Sequence, residues 1–142
     1  TPILVTSQYS SELTETSGQF CRDGDCSSLV YYYEAFNFNV SAAGSYTFIS
    51  SSSMDTFGYL YKNSFYSYAP AKNVIAADND SAGDAQFRLH TLLDTVTAYV
   101  LVVTTFKSNV NDSYSIIITD VASIALTPIG ALNNGMKFTS LK

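Results

Sequence analysis

The stretch Ala98-Tyr99-Val100-Leu101-Val102-Val103-Thr104-Thr105-Phe106 is apolar on both of its alternating faces. It is too short to span a membrane, which needs about 18–20 apolar residues, and Tyr and Thr interrupt it. It reads as a central strand covered on both sides. Around it the dominant period is two. Phe36, Phe38 and Val40 alternate with Asn37 and Asn39. After a break at Ala42-Ala43-Gly44, Tyr46 and Phe48 resume one face, and the pair of segments predicts a hairpin. Residues 50–53, a serine run, read as a loop. Phe57-Gly58-Tyr59-Leu60-Tyr61 is the next strand, where Gly58 marks a bulge or a close backbone approach. Residues 62–84 are the longest irregular stretch, with Pro70 and a short apolar patch at Val74-Ile75-Ala76. In residues 86–92, Phe87 and Leu89 point inward and Arg88 and His90 outward. Tyr114-Ser115-Ile116-Ile117-Ile118 is expected to return beside the central strand. Short strands, turns between them and no helical period predict an all-β protein, an antiparallel β-sandwich of jelly-roll-like form.

The 142 residues suffice for one domain. Charged residues are only 13% of the chain and the net charge is −5. Ser and Thr supply 34 residues, and the aromatics are 11 Tyr and 9 Phe without Trp. This composition excludes a coiled coil and a charged disordered tail. With seven basic residues and no basic cluster, it also argues against nucleic-acid binding. Polarity is carried by hydroxyls and amides.

Three N-x-Ser/Thr sequons begin at Asn39, Asn79 and Asn111. Such sites accept glycans only in a secretory compartment and only when exposed. Asn39 sits on the polar face of an alternating strand, and the other two lie in turn-like segments. N-linked glycans are expected, and an extracellular, secreted location with them. Cys21 and Cys26 flank an Asp23-Gly24 turn dipeptide. A tight reversal there brings them within disulfide range, which an oxidising compartment favours. A zinc site needs four ligands, and the single His90 is far away in sequence.

The middle of the chain resembles the pre-peptidase C-terminal (PPC-like) β-sandwich module, in the version found in large secreted glycoproteins of small aquatic animals. The resemblance rests on Tyr9-Ser10-Ser11-Glu12-Leu13, Tyr31-Tyr32-Tyr33-Glu34-Ala35-Phe36, Gly44-Ser45-Tyr46-Thr47-Phe48, and Met54 through Tyr61. It continues in Asp78 through Asp84, Gln86-Phe87, Tyr99 through Thr105, and Tyr114 through Ile118. It covers about residues 8–120, in order and spacing. It implies a jelly-roll-like sandwich without catalysis, acting as an accessory, adhesive or structural unit. The cysteine pair and the 22-residue tail, residues 121–142, depart from the pattern.

No enzyme is expected. His90 alternates outward as a surface residue, and no Ser–His–Asp order or His-rich metal motif is present. Asp78, Asp80 and Asp84 could offer oxygen ligands to Ca²⁺. Their run lacks EF-hand spacing and a terminal Glu, and an Asx-rich turn accounts for it. No metal or other cofactor is therefore expected. Tyr31, Tyr32 and Tyr33 cannot share one strand face, so at most two could form a sugar-stacking platform.

The two ends are apolar without being helical. Residues 1–7 carry Ile3, Leu4 and Val5, and residues 121–142 carry Ile124, Leu126, Ile129, Leu132, Met136 and Phe138. Both read as strands needing a partner. A 22-residue tail extended at roughly 3.3 Å per residue reaches about 70 Å, against a radius of gyration of about 14–15 Å for a domain of this length. Open sheet edges accept such strands, and head-to-tail contacts that do not close give filaments. The expected function is a non-enzymatic extracellular structural glycoprotein whose copies join into a filament by terminal strand exchange. The alternative is a secreted carbohydrate- or surface-binding accessory module of a larger protein, with a glycan as its ligand.

Overall fold

The structure, a computed structural model, describes residues 4–20, 30–120, 122–129 and 137–141. Two antiparallel sheets pack face to face. The first contains β1 (Val5–Glu12), β4 (Gly44–Ser52), β7 (Arg88–Leu93), β9 (Ser113–Asp120) and β11 (Lys137–Leu141) in the order β11-β1-β9-β4-β7. The second contains β3 (Tyr32–Phe38), β5 (Thr56–Lys62), β6 (Val74–Asp78), β8 (Tyr99–Thr105) and β10 (Thr127–Pro128) in the order β10-β3-β8-β5-β6. A short β2 (Gly18–Gln19) pairs with β3. With β2, β10 and β11 set aside, the two sheets read β1-β9-β4-β7 and β3-β8-β5-β6. That is jelly-roll order: every one of these strands is followed by one in the opposite sheet except β5, whose hairpin with β6 is the lone one among them.

The seven residues of β8 are all buried. Its inner face, Tyr99, Leu101 and Val103, joins the core between the sheets with Phe36, Phe48, Ile116 and Ile118. Its outer face, Val100 and Val102, packs with Phe20 and Tyr61 under a second cover that includes Phe65 and Tyr59. The central position expected for this strand is thus observed, flanked by β3 and β5.

Both expected pairings of neighbouring segments are corrected. Phe38 and Phe48 lie in opposite sheets and meet ring to ring across the core, centroids 5.6 Å apart. They form no hairpin. Likewise β9 pairs with β1 and β4, not with β8. Alternation reports that one face is buried, and it is equally satisfied by a partner beside the strand or opposite it. Two further segments differ. The serine run extends β4, with Ser50 buried against Thr56 and Gln86 by hydroxyl and amide bonds of 2.6 and 2.9 Å. The Val74-Ile75-Ala76 patch is the edge strand β6, which explains its partial exposure. The sandwich also takes in residues on both sides of the 8–120 span, since Val5 to Ser7 belong to β1 and the tail supplies β10 and β11.

The outer face of the first sheet is ordered by its register into cross-strand rows. Thr6, Thr119 and Thr47 stand side by side, as do Ile117 with Ile49, and Ser10, Ser115 and Ser51. Hydroxyl rows flank the row of Gln8, Ile117 and Ile49, and Glu12 at the end of β1 brings a carboxylate to this face.

Gly58 faces inward on β5, where a Cβ would stand 2.5 Å from Cδ1 of the fully buried Phe87. The close approach at this glycine is made by a side-chain ring and not, as expected, by backbone. Gly58→Ala should cost about 1–3 kcal/mol through overpacking, measured by urea denaturation, whereas Ala77→Gly on the exposed edge strand should cost less than about 1 kcal/mol.

Candidate functional site at the tail-closed sheet edges

The C-terminal tail crosses from one sheet to the other and closes one edge of each. At the end of β9, Ala122 N–H donates to Asp120 Oδ1 at 2.6 Å and turns the chain. Ile124 and Leu126 are then 1% and 5% exposed within the core between the sheets. Burying side chains of this size is worth about 1.5–3 kcal/mol each. Tyr9 of β1 clips this segment: its hydroxyl donates to the Ile124 carbonyl and accepts from Leu126 N–H at 2.7 Å. Burial pushes the Tyr9 phenol up to about 12, so it stays protonated and can serve both bonds. Next, Thr127 and Pro128 pair with Asn37 and Phe36, and Ile129 N–H donates to the Ala35 carbonyl at 2.8 Å. Finally β11 lies antiparallel to β1, from Thr6 opposite Leu141 to Ser10 opposite Lys137.

The residues expected to mediate assembly therefore divide. Ile124 and Leu126 belong to the chain's own core. Ile129 lies exposed just beyond β10, and Leu4 is 59% exposed just before β1. Val5 opens β1 opposite Asp120, and the Phe138 backbone stands opposite Tyr9 in β11. Ile3 and Leu132 lie outside the described residues, as do Cys21 and Cys26.

Asp120 sits at the point where the tail leaves the sandwich. It is 2% exposed, and its Oδ2 is buried without a hydrogen-bond partner. Burial pushes its carboxyl up to about 6, against the Ala122 bond that favours ionisation. At the other end of the same sheet, the ends of β1, β4 and β9 form an open groove of about 400 Å³ lined by seven serines and Tyr114. Beneath it, Glu34 Oε1 accepts from Ser11 Oγ at 2.7 Å and from the Tyr114 hydroxyl at 2.6 Å. Burial raises the Glu34 carboxyl despite these bonds.

Among the sequons, Asn39 is exposed just past β3, Asn79 is half-buried in the turn after β6, and Asn111 is exposed just before β9. His90 is exposed, and its Nδ1 shares a 2.7 Å hydrogen bond with Thr47 Oγ1. The acidic run is a turn. Partial burial works against Asp78 ionisation, but bonds from the Ser81 hydroxyl and from backbone N–H groups, Arg88 among them, hold its carboxyl below the usual range. Asp80 and Asp84 are exposed, and among the described residues no three His, Cys, Asp or Glu side chains are grouped to hold a metal.

Tyr32 points into the core while Tyr31 and Tyr33 pack on the outer face of the second sheet. That face carries a feature not expected from the sequence reading. Phe57, Tyr59 and Tyr61 stack in succession along β5, with centroids 4.6 and 6.2 Å apart. Their i, i+2, i+4 spacing was the available signal.

Two outcomes follow from the tail's anchors. Tyr9→Phe leaves the Ile124 carbonyl and Leu126 N–H without their partner and should cost about 1–3 kcal/mol in urea denaturation. For Asp120 the folded carboxyl titrates above its ordinary value. Its contribution is thus complete below about pH 4 and is lost as pH rises through about 6. Asp120→Asn should remove a loss of about 1–2 kcal/mol between pH 4 and 7.5, allowing for solvent screening, read as the difference from the unmodified chain so that the parallel shift of Glu34 cancels.

Compared with known proteins, the chain matches no protein-family model and no curated protein sequence.

Proposed function

We propose that this protein is a non-enzymatic extracellular structural glycoprotein of PPC-like kinship, whose copies join into a filament by exchange of the C-terminal strand β11. The observation that carries this reading is the position of β11 outside a jelly roll that is already complete. β1 is bonded to β9 at eight positions and does not need β11 to remain in its sheet. Residues 122–129, by contrast, are held by core burial, the Tyr9 clip and the pairing with β3. The exchangeable unit is therefore the terminal strand, not the whole tail.

A neighbour's β11 would make the same backbone bonds to β1 in the same register. Exchange of an identical element costs little because no contact is lost. The linking residues 130–136 reach at most about 29 Å between Ile129 and Lys137, so the receiving β1 edge has to lie close to the donor's β10. One donated strand and one receiving edge per subunit propagate without closing. A disulfide between Cys21 and Cys26 and glycans on Asn39, Asn79 and Asn111 suit the same secreted setting.

The alternative accessory-module reading draws on the β5 aromatics, of which only Phe57 and Tyr59 are partly exposed to meet a sugar face while Tyr61 is fully buried. Negative-stain microscopy and sedimentation separate the two. The full chain should form filaments, and a chain ending at Ile129 should remain folded and monomeric. Gln8→Cys with Thr139→Cys, directly opposite in register, when oxidised in the dilute monomer should lock β11 onto its own β1 and abolish filaments, and when oxidised after assembly should cross-link neighbouring subunits, while either single cysteine does neither. A full chain that stays monomeric at high concentration, or a truncated one that still polymerises, overturns strand exchange.

A further inference from the structure

We infer that the serine groove at the end of the first sheet is the resting site of the N-linked glycan carried by Asn111 of the same chain. The inference rests on the glycosylated reading above and adds where one glycan lies. The groove belongs to the ends of β1, β4 and β9, and Ser113, the hydroxyl residue of the Asn111 sequon, is part of its lining.

Asn111 is presented rigidly. Two residues before it, Asn109 holds a left-handed conformation, φ 60°, and its N–H donates to the Val30 carbonyl at 2.7 Å. On its other side Asp112 is fixed three ways. Its carbonyl accepts from Leu13 N–H at 2.9 Å, its Oδ2 from Ser53 Oγ at 2.7 Å, and its Oδ1 from Ser113 N–H at 2.8 Å. An attached sugar would start from a set position at the groove rim.

The lining selects its occupant. Its lining side chains are hydroxyls without formal charge, and the carboxyl groups beside them, Glu34 beneath and Asp112 against Ser53, disfavour an anion. The floor is fixed, because Ser11 and Tyr114 are committed to Glu34. Ser52 and Ser53 donate to the Ser113 carbonyl and to Asp112. Ser51 and Ser113 are exposed and their hydroxyls bond to no other described residue, and Ser10 and Ser115, 3.0 Å apart, share one bond and keep lone pairs outward. Hydroxyl-to-hydroxyl bonds largely replace equivalent bonds to water, so a free saccharide gains little here. A sugar tethered at the rim is present at an effective concentration on the order of mM, and for it the same weak bonds suffice.

The test uses the full chain secreted from a glycosylating host. Glycopeptide mass spectrometry reads occupancy at each Asn, and a peptide-N-glycosidase reads release rates from the folded protein. Asn111 glycan should leave roughly five- to tenfold more slowly than Asn39 glycan, and at the same rate after denaturation. Ser51→Leu, at an exposed lining position, should fill the groove and bring the Asn111 rate up to that of Asn39. Ser115→Val is the second variant should the first not fold. Equal native rates at an occupied Asn111 overturn the cradle and leave glycosylation standing. An unoccupied Asn111 overturns the glycosylated reading at this site. Protection that disappears on dilution assigns the groove to another subunit's glycan and overturns the intramolecular placement.

Discussion

The fold is organised by the requirement that β8 be covered on both faces. Seven successive buried residues cannot be satisfied by one opposing sheet. The inner face is met by the first sheet. Among the described residues no helix covers the outer face, and aromatic side chains from irregular segments do so instead. Phe20 arrives just after β2, and Phe65 comes from the connection between β5 and β6. They stack at 5.9 Å over the sheet, and Tyr61 bonds the Pro70 carbonyl at 2.6 Å to hold that connection down. The C-terminal end of β8 turns polar without exposing its backbone neighbours. Thr104 donates to the Tyr32 carbonyl at 2.7 Å and Thr105 to the Lys107 carbonyl at 2.6 Å. The abundance of Tyr, Phe and Thr noted in the composition is in part the material of this second cover.

What could be read in the chain was which residues face inward, and what could not was which strand they face. Phe36, Phe38, Val40, Tyr46, Phe48, Phe87 and Leu89 are all buried as their alternation implies. Their partners lie across the core or several strands away, because a jelly roll sends most consecutive strands to opposite sheets. Two local signals misled for a related reason. The buried Ser50 looks like loop material, yet Thr56 and Gln86 satisfy its hydroxyl inside the sandwich, and Gln86 in turn donates to the Met54 carbonyl at 2.8 Å. β6 is short and half-exposed because it lies at an edge, so it lacks the apolar alternation by which an interior strand is recognised. Of the candidate site, the apolar character of the tail was legible residue by residue. Its division into a core segment at Ile124 and Leu126 and an edge strand beyond was not, since that depends on the distant Tyr9 hydroxyl.

The tail addresses a liability that any open sandwich has. A strand edge is a row of unpaired peptide groups, and charge is a common means of keeping such rows from pairing with other chains. This chain has little charge to spend. On one side of the sandwich the edges of β1 and β3 are occupied by β11 and β10. On the other side, β6 and β7 are drawn together by Asp78, whose carboxylate accepts from Arg88 N–H at 2.8 Å. The two sides are thus managed differently, one by added strands and the other by a polar turn between the sheets.

That difference bears on how copies could associate. A strand docked on its own edge and one docked on a neighbour's make the same hydrogen bonds, so contact energy does not choose between them. The choice falls to the linker and to concentration: a short linker raises strain in the closed form, and the open form gains with subunit concentration. In the proposed exchange, residues 122–129 would stay in place in both forms, held by core burial and by the pairing with β3. Asp120 stands at the base of that anchored segment with an unpartnered buried oxygen. Its ionisation weakens the anchor without touching β11. Acid therefore firms the anchored segment, while in the proposed exchange the last strand would answer to the linker and to subunit concentration.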